Sequence, residues 1–439
     1  MVKVVLTKDQ ENANNRFLDF LVSDDNFFVI QGAAGTGKSF LIKHLLETFY
    51  AKYQSYCLLL QKEVQTFDIT ITATTNKAVS VVNDFLKELL DQRTNLAVCT
   101  IFSLLGLKVE NDWKTGKTNL TFNNTAFNNN QRFLVQNGRT PLVFVDEASF
   151  IGEDLHQIIE SVLQKGVNAK VVYIGDQYQL APVGQSFSAM DSLNCQKVVL
   201  DEIVRNSGHI LATGTQFRRT VETGKFQPIQ YNNSDLIHVD GPTLQQMIEA
   251  SFADPRWTPA TSKVLAWTNE RVQEYNKHIR QALHRPEMFE VGETVITNEF
   301  IKGNSSYSAS VDSAVTITNI NQVPITNYGV TGLLIELDHS YVGFMPLNYQ
   351  HAKDAMKVLA KGKEWKKYFE IKENWLDLRA IYASTINKAQ GSTYETVFID
   401  LADIGKNWNA IDVARLLYVA ITRSSKKVVC RGYLPNRYC

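Results

Sequence analysis

Cysteine is scarce and scattered: the 439 residues hold five, Cys57, Cys99, Cys195, Cys430 and Cys439, with no Cys-x-x-Cys pair among them. This excludes a thiolate zinc site or a vicinal redox centre, and an odd number of separated thiols reads as reduced and structural. Long apolar runs are missing too; none approaches the ~20 residues that a membrane-spanning helix needs. The opening MVKVVLTKDQENANNRF turns polar too soon for a signal peptide, so a soluble cytoplasmic protein with no membrane partner is expected. Nor is either charge in excess: Lys plus Arg and Asp plus Glu both number 45. No global positive field advertises nucleic acid, and any such partner must use a locally basic groove. From Thr422 to Cys439 stand five basic residues (Arg423, Lys426, Lys427, Arg431, Arg437) and no acidic one. A nucleic-acid face and a solvated last strand with its tail both fit that stretch.

The composition that remains is globular, 44% hydrophobic and 21% charged, and the length exceeds what one core serves, so about two to four domains are expected. Through the first 200 residues apolar β-rich runs alternate with helical patterns: NFFVIQG, FDITITATT, PLVFVDEAS, AKVVYIGDQ and QKVVLDE. That rhythm predicts a parallel sheet with helices on both faces. It breaks at about 106–138, where two short alternating stretches around Gly116 predict a hairpin followed by an asparagine-rich loop. A second α/β set starts near Ser262 and resumes at RAIYASTINKAQGSTYETVFID. Between them, 285–378 breaks into short β-rich pieces, with a net basic helical stretch from Gln350 to Asn374. This predicts a small module inserted into the second α/β domain.

The stretch GAAGTGKS, Gly32 to Ser39, lies between an apolar run and a helical pattern (Leu41, Ile42, Leu45, Leu46), the setting a phosphate-binding loop requires. Gly32, Ala33, Ala34, Gly35, Thr36 and Gly37 offer backbone N–H groups to a triphosphate; Lys38 adds charge, and Ser39 can hold Mg²⁺. In LVFVDEAS an apolar strand delivers Asp146 and Glu147 at its tip. Beside bound phosphates Asp146 can hold Mg²⁺ and Glu147 can deprotonate the attacking water. The pair argues for hydrolysis of ATP rather than transfer of a phosphoryl group to a metabolite. In VYIGDQYQLAPVG, Gln179 stands just past another strand tip, placed to sense a γ-phosphate.

The order of these segments, with LLYVAITRS (Leu416 to Ser424) near the C-terminus, resembles superfamily 1 helicases, and within them the 5′-to-3′ branch of RecD-like and Dda-like phage enzymes. The resemblance covers nearly the whole chain. It implies two RecA-like P-loop NTPase motor domains, at 1–185 and at 186–284 with 379–439, a β-hairpin pin inserted at about 106–138, and an SH3-like module at 285–378. LTKDQ matches the adenine-reading segment, implying that Gln10 holds the base, and Gly391 is placed at the nucleotide. ITATTNKAV and CTIFSLLG match strand-contacting segments, implying DNA contacts by Thr75, Asn76, Lys77, Thr100 and Phe102; STINKAQGST adds Thr385 and Asn387. LDEIVR brings Arg205 toward the γ-phosphate, and Arg423 takes the arginine-finger position.

Two positions depart from the family text: Phe102 and Asn387 stand where relatives commonly carry His. Phe102 can stack on a base or join the core. Trp113, in the hairpin, can stack at a duplex junction or fold back on its own module. The implied activity is ATP- and Mg²⁺-dependent 5′-to-3′ translocation on single-stranded DNA with unwinding of duplex junctions. A viral-type RNA helicase and an ATP-switched remodeller without unwinding are the alternatives. A monomer is expected, in the cytoplasm of a bacterial host if the source is a phage, with replication or single-strand-binding proteins as candidate partners.

Overall fold

The computed structural model describes residues 6–111, 118–122, 138–163, 169–180, 188–203, 208–302, 308–309, 311–338 and 341–438. Its strands in chain order begin with β1 (Phe27–Gly32), β2 (Phe67–Ala73), β3 (Leu96–Thr100), β4 (Leu107–Asn111), β5 (Thr118–Phe122), β6 (Thr140–Val145), β7 (Lys170–Gly175) and β8 (Gln196–Leu200). Six of these make an all-parallel sheet in the order β3-β2-β6-β7-β1-β8. Its four central strands, β2, β6, β7 and β1, are buried almost end to end, as a sheet covered on both faces requires. One face packs on Phe17, Phe20, Leu45 and Phe49, the other on Ile101, Leu104, Ile159 and Met190. Phe20 and Phe28 stack with centroids 5.4 Å apart, worth about 0.5–1.5 kcal/mol beyond burial.

The boundary expected at 185 falls short. β8 pairs in parallel with β1, Phe28 opposite Gln196 through Gly32 opposite Leu200, so the first sheet runs through Leu200. Within the stretch expected to hold the hairpin, β4 runs antiparallel to β5, with Leu107 opposite Phe122 and Asn111 opposite Thr118. Its turn, with Trp113, lies outside the described residues.

The later strands are β9 (Leu236–Val239), β10 (Ser262–Ala266), β11 (Thr294–Thr297), β12 (Ile301–Lys302), β13 (Ser308–Ala309), β14 (Ala314–Ile320) and β15 (Ile325–Asn327). They continue with β16 (Val330–Leu337), β17 (Tyr341–Pro346), β18 (Leu378–Arg379), β19 (Ala383–Thr385), β20 (Tyr394–Asp400) and β21 (Ser424–Arg431). A second parallel sheet has the order β19-β10-β20-β21-β9. The intervening module is an antiparallel sheet, β15-β16-β14-β11-β18 with β17 on β16, and has its own core around Ile317, Ile335 and Leu337. Helices Tyr349–Lys361 and Trp365–Asn374 occupy the stretch read as helical and basic. Among the described residues no helix is long and apolar enough to cross a membrane.

Candidate nucleotide site and nucleic-acid interface

At the tip of β1 the chain turns through Gly35 (φ 88°) and Gly37 (φ 81°) into helix Lys38–Leu59. These left-handed dihedrals favour glycine, and a Cβ on Gly37 would also sit 2.6 Å from Gln10 Nε2. Gln10 is held there by a capping box at the start of helix Lys8–Val22: its backbone N–H donates to Thr7 Oγ1 and its Oε1 accepts from the Thr7 N–H. Its Nε2 then donates to Thr36 O at 3.1 Å. A sequence-local cap thus aims the expected base-reading residue at the phosphate loop. The end of the same helix is tied down by buried Lys170, whose ammonium donates to the carbonyls of Phe20, Ser23 and Asp25. Lys38 curls into its own loop, donating to Gly32 O (2.7 Å) and Ala33 O (3.2 Å). Ser39 is exposed on the first helical turn.

At the end of β6 the Asp146 N–H donates to Thr72 O, and Asp146 Oδ1 accepts from the Glu147 N–H at 2.9 Å. Glu147 adopts φ 52°, ψ 41°, a left-handed conformation that costs a non-glycine residue about 1–3 kcal/mol. Burial pushes its carboxyl up to about 7, with repulsion from Asp146 adding to it and Lys38 and Arg423 pulling the other way. Burial raises Asp146 as well. Glu147 Oε2 is shut off from solvent with no hydrogen-bond partner among the described residues. An orphaned acid oxygen beside a phosphate loop fits a site completed by Mg²⁺, water and phosphate. Asp146 and Ser39 are the residues that would hold the ion, which supplies neutralising charge to the phosphates.

Gln179, buried past β7, donates from Nε2 to Asp176 Oδ2 at 3.4 Å. The second α/β domain reaches this point, because Gln390 Nε2 donates to Gln179 Oε1. A second contact crosses the same cleft from helix Ala410–Thr422. The Tyr418 hydroxyl accepts from the Ala34 N–H (2.8 Å) and donates to Asp176 Oδ2 (2.6 Å). Tyr418→Phe keeps the ring but takes the acceptor from the half-buried Ala34 N–H and one donor from the buried Asp176 carboxylate, a loss of about 1–3 kcal/mol. The expected result is a lower thermal denaturation midpoint with secondary structure intact; circular dichroism melting checks it.

Arg423, one helical turn beyond Tyr418, is buried. Its guanidinium donates to Val419 O and Ser392 O, the helix-end packing of a structural arginine, while its charge is felt at Glu147. Arg205 lies outside the described residues. Gly391 has φ 78° and open space where a Cβ would stand.

On the other side of the cleft one local device recurs. Thr75, Thr100 and Thr385 each follow or end a strand and cap the next helix, accepting from the N–H groups of Ala78, Ser103 and Lys388. Capping fixes where these three expected strand-contacting segments begin. Asn76 and Asn387 are exposed, and Phe102 is half-buried with part of its ring on the core. Lys77 donates to Lys388 O at 3.5 Å. Most of the C-terminal basic stretch is spent internally: Lys426 pairs with Glu395, Arg431 reaches Tyr275, and Arg437 lies over Trp408. Asp176, Gln390 and Tyr418 were not singled out from the sequence. Tyr418 carried a signal, the one hydroxyl within the apolar run LLYVAI.

A family model described as an AAA domain matches residues 5–240, more than half of the chain. The chain belongs to the AAA domain family. In this AAA-family protein a second model, the UvrD-like helicase C-terminal domain, matches residues 380–430, where the second parallel sheet resumes. The ATP-dependent DNA helicase Dda of Enterobacteria phage T4 is 21% identical to it over 95% of this chain and 97% of that one. An uncharacterized protein of Acanthamoeba polyphaga mimivirus is 24% identical over 96% and 98%. Among solved structures, Pif1 helicase from Bacteroides in complex with ADP-AlF3 and single-stranded DNA aligns with a TM-score of 0.53 at 14% identity, covering 99% of this chain and 94% of that one. Pif1 helicase from Candida albicans gives 0.51 at 15%, over 99% and 95%. The likeness extends over nearly the whole chain, and the chain's two parallel sheets are those of two RecA-like domains.

Proposed function

We propose that this protein is an ATP-driven 5′-to-3′ DNA helicase that moves along single-stranded DNA and opens duplex junctions. One observation carries the proposal. Residues 384–393 of the second motor domain touch the first on both sides of the cleft, Gln390 at the γ-phosphate sensor Gln179 and Lys388 at the strand-contacting Lys77. A single short segment therefore links the nucleotide side to the nucleic-acid side, the connection a chemical cycle needs to become a mechanical one. In this reading Lys38 and the loop amides hold the phosphates, Glu147 accepts the proton of the attacking water, and Arg423 is drawn to the charge that develops on the leaving phosphate. The inserted module forms a wall over the strand, and the β4–β5 hairpin serves as the pin, with Trp113 assigned to it from the sequence alone. The full-length match to Dda and the forked-DNA context of a Pif1 structure support the same substrate.

Two assays test the proposal. ATPase activity should rise strongly with single-stranded DNA, and a duplex with a 5′ tail should be opened while one with only a 3′ tail is left intact. Opening of 3′-tailed duplexes would overturn the polarity. Stimulation by RNA far above that by DNA would favour an RNA motor, and DNA-stimulated ATPase with no strand separation would leave a remodeller.

A further inference from the structure

Two adjoining cavities, of about 690 and 500 Å³, open between the motor domains and the inserted module, and both are lined by Lys77, Lys263 and Asp312. Each of these residues comes from a different part of the fold: Lys77 from the first motor domain, Lys263 from β10 of the second, and Asp312 from the module. Lys388, on the wall of the smaller cavity, donates to Asp312 Oδ1 and to Asn298 Oδ1, both at 2.8 Å. Lys263 is buried, its ammonium on Ile381 O and 5.6 Å from the centre of the Tyr394 ring. Burial, then the neighbouring Lys77 charge, pulls it down to about 7, with Asp312 opposing. Burial lowers Lys77 too, and Asp312 again opposes. Asp312 thus bonds the Lys388 ammonium, and its charge is felt at Lys77 and Lys263.

The other acids of these cavities are engaged elsewhere. Asp377 pairs with Arg379 at 2.6 Å, Asp338 accepts from the Thr316 N–H, and burial beside Asp377 pushes Glu299 upward. Three lysines, of which Lys77 and Lys263 are desolvated, gather about one carboxylate that bonds Lys388; the place is short of negative charge, and burying unpaired charge is costly. The ligand that supplies it is an anion able to reach between both motors and the module, and a backbone phosphate of the proposed strand has the charge and the route.

We propose that Lys77, Lys263 and Lys388 form one seat for a backbone phosphate of the bound strand, and that Asp312 fills this seat while the strand is away. This rests on the nucleic-acid-motor reading and adds to it Lys263, Lys388 and a displaceable carboxylate. Asp312 sits at φ 62° with its N–H donating to Thr297 O. Asparagine tolerates that left-handed backbone, so Asp312→Asn removes the charge and keeps the turn.

The test is fluorescence anisotropy with a labelled oligothymidylate across a potassium chloride series. Asp312→Asn should bind about 3- to 10-fold more tightly than the parent at low salt, with the gain shrinking as salt rises. Lys263→Gln should bind more weakly and lower the slope of log affinity against log salt by about 0.7, the share of one phosphate contact on a single strand. In a Lys388→Gln background the gain from Asp312→Asn should be smaller, because the two side chains act on each other. If the parent binds the oligonucleotide and Asp312→Asn binds no tighter, the seat is wrong and the motor reading stands. If the parent fails to bind at any salt, both fall.

Discussion

Glu147→Gln is expected to bind Mg·ATP about as well as the parent and to hydrolyse it about 10²- to 10⁴-fold more slowly, the usual contribution of a positioned general base. Glutamine keeps the size of the side chain and the backbone turn at φ 52° but cannot accept the proton of water. It also removes one of two crowded carboxylates, so nucleotide affinity should hold or improve. Lys38→Ala should behave differently. It deletes the ammonium that now bonds Gly32 and Ala33 and that would face the phosphates, so binding and turnover are lost together. Fluorescent nucleotide titration alongside steady-state ATPase separates the two outcomes. Turnover by Glu147→Gln near the parent rate would remove Glu147 from the role of base.

Arg423→Ala should lower the maximal DNA-stimulated ATPase rate by about 10³-fold while changing nucleotide affinity only a few-fold. An arginine donated to a leaving phosphate contributes about 10³ to 10⁵ in rate because its contact matures in the transition state. In the structure the guanidinium rests on Val419 O and Ser392 O, and its field already reaches Glu147. The finger role therefore requires these donors to be exchanged for phosphate oxygens when the cleft closes. Arg423→Lys keeps the charge and loses the planar fork, so it should recover little activity. Equal losses in affinity and rate, together with a lower melting midpoint, would instead mark a residue that only closes a helix end.

Much of the nucleotide site was legible because its parts are local. A glycine loop between a strand and a helix and two acids at a strand tip each fit within ten residues, so local spacing points to the chemistry; Gln10 was expected only from the family resemblance, and the Thr7–Gln10 capping box is seen in the fold. The contacts from the second domain were not legible. Tyr418 to Ala34 spans 384 positions and Gln390 to Gln179 spans 211, and no periodicity encodes such pairs. The domain boundary failed for a related reason: β8 joins the first sheet by pairing with β1 across more than 160 residues, whereas the sequence shows only another apolar run. Charge counting left two readings of the C-terminal basic run open. The C-terminal run of basic residues is in large part engaged by Glu395, Tyr275 and Trp408, while three lysines distant in sequence line the cavity beside the inserted module.

By itself, then, the sequence determined the two α/β rhythms, the inserted β-rich pieces, and which candidate hydrolytic groups stand at strand tips and in what order, because strands, caps and phosphate loops are written in short-range patterns of size and polarity. The tertiary structure decided which surfaces meet. It set Glu147 in a half-buried, left-handed position with one oxygen lacking a partner among the described residues, brought Tyr418 and Gln390 across the cleft to the phosphate loop and Gln179, and gathered Lys77, Lys263 and Lys388 near Asp312. Desolvation and charge pairing depend on what surrounds a group in space, and that surrounding exists only once the chain has folded.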